Sequence, residues 1–461
     1  VSPSHMPRTS PEPPSPASPS SASPPRAAVD PRRWPDVARA PRRAPLRTAV
    51  AARLVRRALE RLPLRVRTDG GAEFGRGGPL LQLHDADAFF ARIGRSGLIG
   101  FGESYMAGEW DAPDLAGVLT VLAEHVTALV PRPLQRLRAL WAARRPASGR
   151  NTEAHARENI HRHYDLSNEL FALFLDDTLT YSSALFAELP ATWEDLAAAQ
   201  RRKTDRLLDL AGVGPGSRVL EIGTGWGELA LRAAARGAHV VTATLSEEQL
   251  TLARERVRAA GLEERVTLLL RDYRRLTGSY DAVVSVEMIE AVGAEYWPDY
   301  FRRIDGLLAP GGRAALQAIT MPHERMLATR NTHTWIQKYI FPGGLLPSLE
   351  AVERTARETT GLRVSGRELF GPHYAETLRL WRERFTERAE QARLLGFDGT
   401  FRRMWTFYLA YSEAGFRAGY LDVGRLLLTR PDDDAGDDRH GDENDAHDEN
   451  HDGNHDEETA S

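Results

Sequence analysis

The 461-residue chain contains no Cys, so it forms no disulfide, offers no thiol nucleophile and builds no Cys-ligated zinc site. It is almost without Lys. Of its 60 basic side chains all but Lys203 and Lys338 are Arg, which together with heavy Ala and Pro use suggests a GC-rich genome. No uncharged apolar run approaches the roughly 18 residues that a membrane-spanning helix needs. The opening stretch also lacks the central apolar segment of a secretory signal, so a cleaved targeting role is not expected. The length suits two or three domains.

A strong charge of one sign is missing only on average. The net charge is −4, but residues 431–461 hold 14 Asp and Glu against a single Arg. Residues 1–45 carry seven basic and three acidic side chains among 13 prolines, and 46–430 carry 52 basic against 47 acidic. A balance of +5 over that long segment is no nucleic-acid footprint. The Pro/Ser/Arg-rich stretch 1–45 has no apolar periodicity and is read as a disordered arm. The block of like charge in 431–461 is read as a disordered acidic tail, whose His440, His447, His451 and His455 have nothing to fix a ligand geometry. No metal site is expected.

Between the tails, 46–150 forms one region, expected to be a small α+β domain associated with lipid or membrane. Within it, Leu134, Leu137, Leu140 and Trp141 share a helical face beside Arg136, Arg138, Arg144 and Arg145. That pattern suits either an anionic lipid surface or a packed helix with a solvated Arg face. In 151–430 the pattern changes to β-rich runs at 218–222, 239–243, 266–270, 281–286 and 313–319, separated by helical periodicity at 247–260 and 296–308. Such alternation predicts an α/β fold with a mostly parallel sheet covered on both faces.

Directly after the first strand comes Glu221-Ile-Gly-Thr-Gly-Trp-Gly227. Glycines at 223, 225 and 227 let the backbone turn sharply and approach a ligand, and the next helix presents free N–H groups. The dinucleotide pattern would need Gly where Glu228 stands, and 241–246 offers no acid for a ribose, so a nicotinamide enzyme is disfavoured. A merely tight strand–helix turn remains the other reading of the loop by itself.

This loop, with Asp272-Tyr273 and Asp281 after it, resembles the first motif of class I S-adenosylmethionine-dependent methyltransferases, a Rossmann-like seven-stranded fold. More specific resemblances flank it: Asn159-Ile-His-Arg-His-Tyr-Asp-Leu-Ser-Asn168, Thr180-Tyr-Ser-Ser-Ala-Leu-Phe186, Ser285-Val-Glu-Met-Ile-Glu-Ala-Val-Gly293, Trp335-Ile-Gln-Lys-Tyr-Ile-Phe-Pro-Gly-Gly344 and Phe370-Gly-Pro-His-Tyr374. Together with Gly-Glu-Ser-Tyr-Met-Ala-Gly-Glu-Trp ending at Trp110, they are similar to the cyclopropane-fatty-acyl-phospholipid synthase family, which includes the mycolic acid cyclopropane synthases. The similarity covers about 85–430. It implies cofactor contacts from Tyr181, Ser182, Glu221, Gly223, Gly225, Gly227, Thr244, Gln249, Tyr273 and Arg274. Without the resemblance, Tyr181 reads as a core aromatic and Glu290 as a carboxylate at a helix start.

The family methylates a cis double bond of a phospholipid acyl chain. An alkene is a weak nucleophile, so it must be aligned with the methyl donor in a dry site, and the cation that forms needs aromatic faces or an anion beside it. In cyclopropane-forming members a bound bicarbonate then removes a proton, held by Cys, Glu, His, an Ile backbone and Tyr. The matching positions here are Ser183, Glu290, Gln317, Ile319 and Tyr374. Two of the five differ, Ala291 replaces a common His, and Glu287 adds a carboxylate. These departures most resemble the actinobacterial tuberculostearic acid methyltransferases, which leave an exocyclic methylene on an oleoyl chain for a separate reductase. That product is the expectation, with a cyclopropane as the close alternative. A non-catalytic lipid-binding scaffold and a methyltransferase for a soluble molecule are the competing classes. The expected location is cytoplasmic, peripheral to the inner face of the membrane, and a homo-oligomer is compatible with the sequence.

Overall fold

The computed structural model describes residues 29–39, 45–125 and 167–431. The basic helix expected at 131–145, the motif residues 159–166, most of the N-terminal arm and the His-containing tail lie outside the described residues.

Four short strands, β1 (Arg65–Thr68), β2 (Glu73–Gly75), β3 (Leu80–Leu83) and β4 (Trp110–Asp111), form a sheet ordered β2-β1-β3-β4. Period-2 alternation turns Val66, Leu81 and Leu83 inward, each fully buried. The helix Ala86–Met106 shares their core and starts where Asp85 accepts a hydrogen bond from the Ala88 N–H at 2.9 Å.

The expectation of an unstructured arm through Pro45 is corrected for residues 29–39. Val37 is buried, and the Trp34 indole donates to Asp398 at 2.9 Å. The Asp36 and Val37 carbonyls accept from Arg92, a buried guanidinium also paired with Glu109 at 2.7 Å. A buried Arg has five N–H donors to satisfy, and this segment supplies acceptors that Glu109 alone lacks.

The larger sheet has seven strands: β5 (Arg218–Ile222), β6 (His239–Thr244), β7 (Val266–Leu270), β8 (Tyr280–Val286), β9 (Leu308–Thr320), β10 (Arg363–Leu369) and β11 (Asp422–Thr429). Their order is β10-β11-β9-β8-β5-β6-β7, parallel from β9 to β7 and antiparallel across β11. The five strands expected from sequence are the five parallel ones, with β9 starting earlier, at Leu308. Strand order reverses at β5, whose neighbours are β6 and β8, so the C-terminal ends of β5 and β8 open the crevice where α/β sheets bind ligands.

The N-terminal elements do not own a separate core. Val37, Val66, Phe89 and Trp110 belong to one apolar cluster with Trp381, Trp405 and Phe407, from the helices Gly371–Glu387 and Gly399–Arg417. Two of the sequence motifs meet at this junction. Gly102 sits so close to Trp335 that a Cβ would lie 2.4 Å from the indole Cδ1. Its neighbour Glu103 accepts from Lys338 at 2.5 Å and from the Tyr339 hydroxyl at 2.8 Å. Arg403 adds donors to the Tyr105 and Trp110 carbonyls and to Asp111.

Candidate active site

The glycine loop is stitched to β6, because the Gly223 and Thr224 N–H groups both donate to the Ala243 carbonyl, at 3.0 and 3.2 Å. Gly223, Gly225 and Gly227 have φ of +100°, +52° and +92°, a region that L side chains avoid. A Cβ on Gly223 would fall 2.6 Å from Met288 Cγ, so the loop lies directly on the residue that follows Glu287. Glu221 is buried and accepts from Thr242 at 2.6 Å; burial pushes its carboxyl up to about 8.

On the far side of the loop, Thr244 donates to the Gln249 side chain at 3.0 Å, and Ser246 caps the helix Glu247–Ala259 by accepting from the Gln249 N–H. Tyr273 stands edge-on to Tyr300, and among the described residues its buried hydroxyl has no partner. Arg274 turns back onto Asp272 at 2.7 Å with its guanidinium over the Tyr273 ring. A glycine cradle that side chains would fill, beside an orphaned buried hydroxyl, fits a polar ligand such as S-adenosylmethionine.

Tyr181 and Ser182 enter from the other flank. The Tyr181 hydroxyl is 2.7 Å from that of Tyr408, and its ring packs on Trp381 with centroids 5.4 Å apart. Ser182 accepts from Lys203 Nζ at 2.7 Å. Lys203 is fully enclosed, and burial pushes its pKa down to about 8 against the opposing charge of Glu287. Sequence reasoning passed over Lys203. Its signal was the near-absence of Lys, since a position that stays Lys among 58 Arg needs a slim ammonium rather than a planar guanidinium.

At the end of β8 the five positions matched to the bicarbonate set come together, but around an unexpected centre. Glu287 Oε1 accepts from the Ser183 N–H at 3.0 Å and from Gln317 Nε2 at 2.9 Å, and Oε2 accepts from the Tyr374 hydroxyl at 2.7 Å. The backbone of Glu287 has φ of +51° and is pinned by its N–H donating to the Gln317 carbonyl at 2.7 Å. Glu290 lies beside this cluster and accepts from the Ile319 N–H at 2.5 Å; its other oxygen has no partner among the described residues. The Ser183 hydroxyl donates to the Ala184 carbonyl, away from the carboxylates.

Burial, and then the charge of Glu287, push the Glu290 carboxyl up to about 8. Burial also raises Glu287, opposed by its three hydrogen bonds and by Lys203. Glu290 therefore holds its proton at neutral pH, while the three donors converging on Glu287 favour the ionised form of that carboxyl. Tyr374, raised well above the phenol range by burial, stays a donor. Its ring packs 4.6 Å from Phe416 and faces Trp381 edge-on, so aromatic surface adjoins the carboxylate pair.

Residues 151–426 match the family model described as mycolic acid cyclopropane synthetase. The chain is 59% identical over 416 residues to tuberculostearic acid methyltransferase UfaA1 of Mycobacterium tuberculosis, covering 88% of this chain and 97% of that one. It is 34% identical over 346 residues to cyclopropane-fatty-acyl-phospholipid synthase of Escherichia coli, covering 74% and 86%. The solved structure of the cyclopropane synthase MmaA2 from Mycobacterium tuberculosis superposes with a TM-score of 0.54 at 33% identity, over 59% of this chain and 97% of that one. Mycolic acid cyclopropane synthase CmaA1, solved in complex with SAH and CTAB, gives the same TM-score at 32% identity over the same shares.

Proposed function

The chain belongs to the mycolic acid cyclopropane synthetase family of S-adenosylmethionine-dependent methyltransferases, and from that premise we propose that it methylates the cis double bond of an oleoyl chain in a phospholipid, leaving a 10-methylene branch. The observation that carries this reading is the carboxylate pair set against Tyr374 and its aromatic neighbours, one layer from the glycine loop through Met288. Identity to a tuberculostearic acid methyltransferase across 88% of the chain supports the methylene product over the ring.

When bound, S-adenosylmethionine supplies an electrophilic methyl: the alkene π pair forms the new carbon–carbon bond while the sulfur keeps the pair of the bond that breaks. The residues proposed to hold it are Gly223, Gly225 and Gly227 with Glu221 on one side, Thr244, Gln249, Tyr273 and Arg274 on the other, and Tyr181 with Ser182 across the crevice. The chain's remaining task is to shelter the positive charge left on the second alkene carbon. The faces of Tyr374, Trp381 and Phe416 and the charge of Glu287 suit that task in a site that excludes water. Loss of a methyl proton after a hydride shift onto the cationic carbon gives the exocyclic methylene, and loss without the shift closes a cyclopropane. Reduction to a methyl branch would fall to a separate enzyme.

The donors read as a bicarbonate cradle are already engaged. Ile319 donates to Glu290, Gln317 and Tyr374 donate to Glu287, and the Ser183 hydroxyl donates to the backbone. An added anion beside the Glu287 carboxylate would also be repelled, so bicarbonate does not fit and no step is assigned to it.

Among the described residues no helix is long and apolar enough to cross a membrane. The lipid is proposed to be met at the surface of an anionic bilayer, on the cytoplasmic side, where the donor is made. The test is expression in a bacterium that has oleoyl phospholipids and no such enzyme, with mass spectrometry of its fatty acids. A gain of one CH2 on the C18 monoene, with the vinylidene protons of an exocyclic methylene in NMR, is expected. Cyclopropane protons would reassign the product. Unchanged lipids from a folded protein that binds S-adenosylmethionine would overturn the reading.

A further inference from the structure

We propose that Glu287 is the catalytic base, an internal carboxylate standing where the related cyclopropane synthases use a bound bicarbonate. The inference rests on the lipid C-methyltransferase reading and adds the group that ends the reaction. In the step assigned to it, a C–H bond of the newly added methyl breaks, its electron pair moves into the carbon skeleton to quench the cation, and the proton passes to Glu287 Oε2.

Geometry carries the assignment. An ionised carboxylate has about four acceptor positions. Glu287 uses two on Oε1, for Ser183 N–H and Gln317, and one on Oε2, for Tyr374. One position on Oε2 remains, next to the aromatic rings around Tyr374. The three donors come from three distant parts of the chain, the segment after Thr180, β9 and the helix Gly371–Glu387, so the carboxylate is held from three directions.

The backbone is also committed to this placement. A non-glycine residue at φ of +51° sits in the left-handed region that L side chains disfavour, and the Glu287 N–H bond to the Gln317 carbonyl holds it there. Glu290, the other candidate, is less suited to be the base. It keeps its own proton at neutral pH because burial and the Glu287 charge both disfavour ionisation. Two replacements in the cradle gain a reason. Gln317 offers an N–H to a carboxylate at neutral pH without carrying a charge or titrating, and Ser183 needs to contribute only its backbone N–H.

The test uses the full chain, S-adenosylmethionine and dioleoyl phosphatidylglycerol vesicles. Wild-type turnover is expected to be the same in buffers stripped of CO2 and in buffers with added bicarbonate. Glu287→Gln should lower kcat by about 100-fold or more, the usual worth of a general base, with cofactor affinity by calorimetry unchanged. Glu287→Gly suits the left-handed backbone and opens a carboxylate-sized space lined by the three donors. Added bicarbonate or formate should restore part of its turnover. Independently of activity, 13C-labelled bicarbonate should bind Glu287→Gly and not the wild type in NMR. A wild type that needs or binds bicarbonate, or a Glu287→Gln variant with normal kcat, would overturn the proposal. If the wild type binds cofactor yet modifies no lipid, the functional reading fails, and the labelled-bicarbonate comparison still decides whether Glu287 occupies the anion position.

Discussion

Glu290 and Lys203 show how far burial, more than any neighbouring charge, moves a side chain's chemistry. A carboxyl raised to about 8 makes the folded state hold a proton that the unfolded chain releases near 4.5. Folding stability is therefore fullest below that lower value and is lost as pH rises towards 8, and Glu221 acts in the same sense. Lys203, lowered from 10.5 to about 8, acts in a separate window: stability falls as pH drops from the upper value to the lower. Glu290→Gln keeps a neutral group that still accepts from Ile319. Denaturant unfolding of that variant should show a slope between pH 5 and 8 shallower by about 1.4 kcal/mol per pH unit, one proton's worth. An unchanged slope would mean that Glu290 ionises normally. Its kcat should fall by no more than about tenfold, far less than the loss expected for a general base.

At the scale of elements, the loop after β5 and the turn after β8 act as one unit, because Gly223 lies against Met288, the residue that follows Glu287. Alanine at 223 must both adopt φ near +100° and displace Met288, whereas alanine at 225 meets nothing within 4 Å and bears only the backbone cost. Both should lose about 1–2 kcal/mol of stability from the left-handed backbone. They should differ kinetically. Gly225→Ala is expected to raise KM for S-adenosylmethionine, while Gly223→Ala lowers kcat even at saturating cofactor because the Glu287 turn shifts. Steady-state kinetics on vesicles separates the two, and equal kcat values would uncouple the loop from the base. The strand pattern was legible for the parallel core, whose apolar runs are buried on both faces in β5 and β8 and only partly so at the edge strand β7. β10 was not, since it is an edge strand with exposed alternate residues, and β11 carries Arg425 buried at its centre, paired to Glu368 at 2.7 Å.

For the whole molecule, charge is distributed so that the segment 46–430 is mildly positive and residues 431–461 strongly negative. Attraction of that positive segment to an anionic bilayer, opposed by the acidic tail, is a screened effect acting over about one Debye length. Truncation after Arg430 should strengthen binding to anionic vesicles at low salt, and the difference should vanish near 0.5 M salt, where screening is about complete. Sedimentation with vesicles checks it, and equal binding at low salt would leave the tail without this role. The small N-terminal sheet is tied to the larger sheet's unit by a shared apolar core and by the Glu103, Lys338 and Tyr339 bonds.

By itself the sequence determined the parallel α/β core, the tight glycine turn after β5 and the family, because each is written in local patterns: period-2 runs, glycines at set spacing and contiguous motifs. It also brought Glu290, Tyr374, Gln317, Ile319 and Ser183 into one expected site. Only the tertiary structure decided what these residues do to one another. Glu287 looked like a neighbour of Glu290 until donors from three distant segments were found on its oxygens. Lys203 drew no reading from the sequence, and only its enclosure marks it. Hydrogen-bond partners far apart in the chain, and the burial that sets which carboxyl keeps its proton, are properties of the packed molecule that no local pattern encodes.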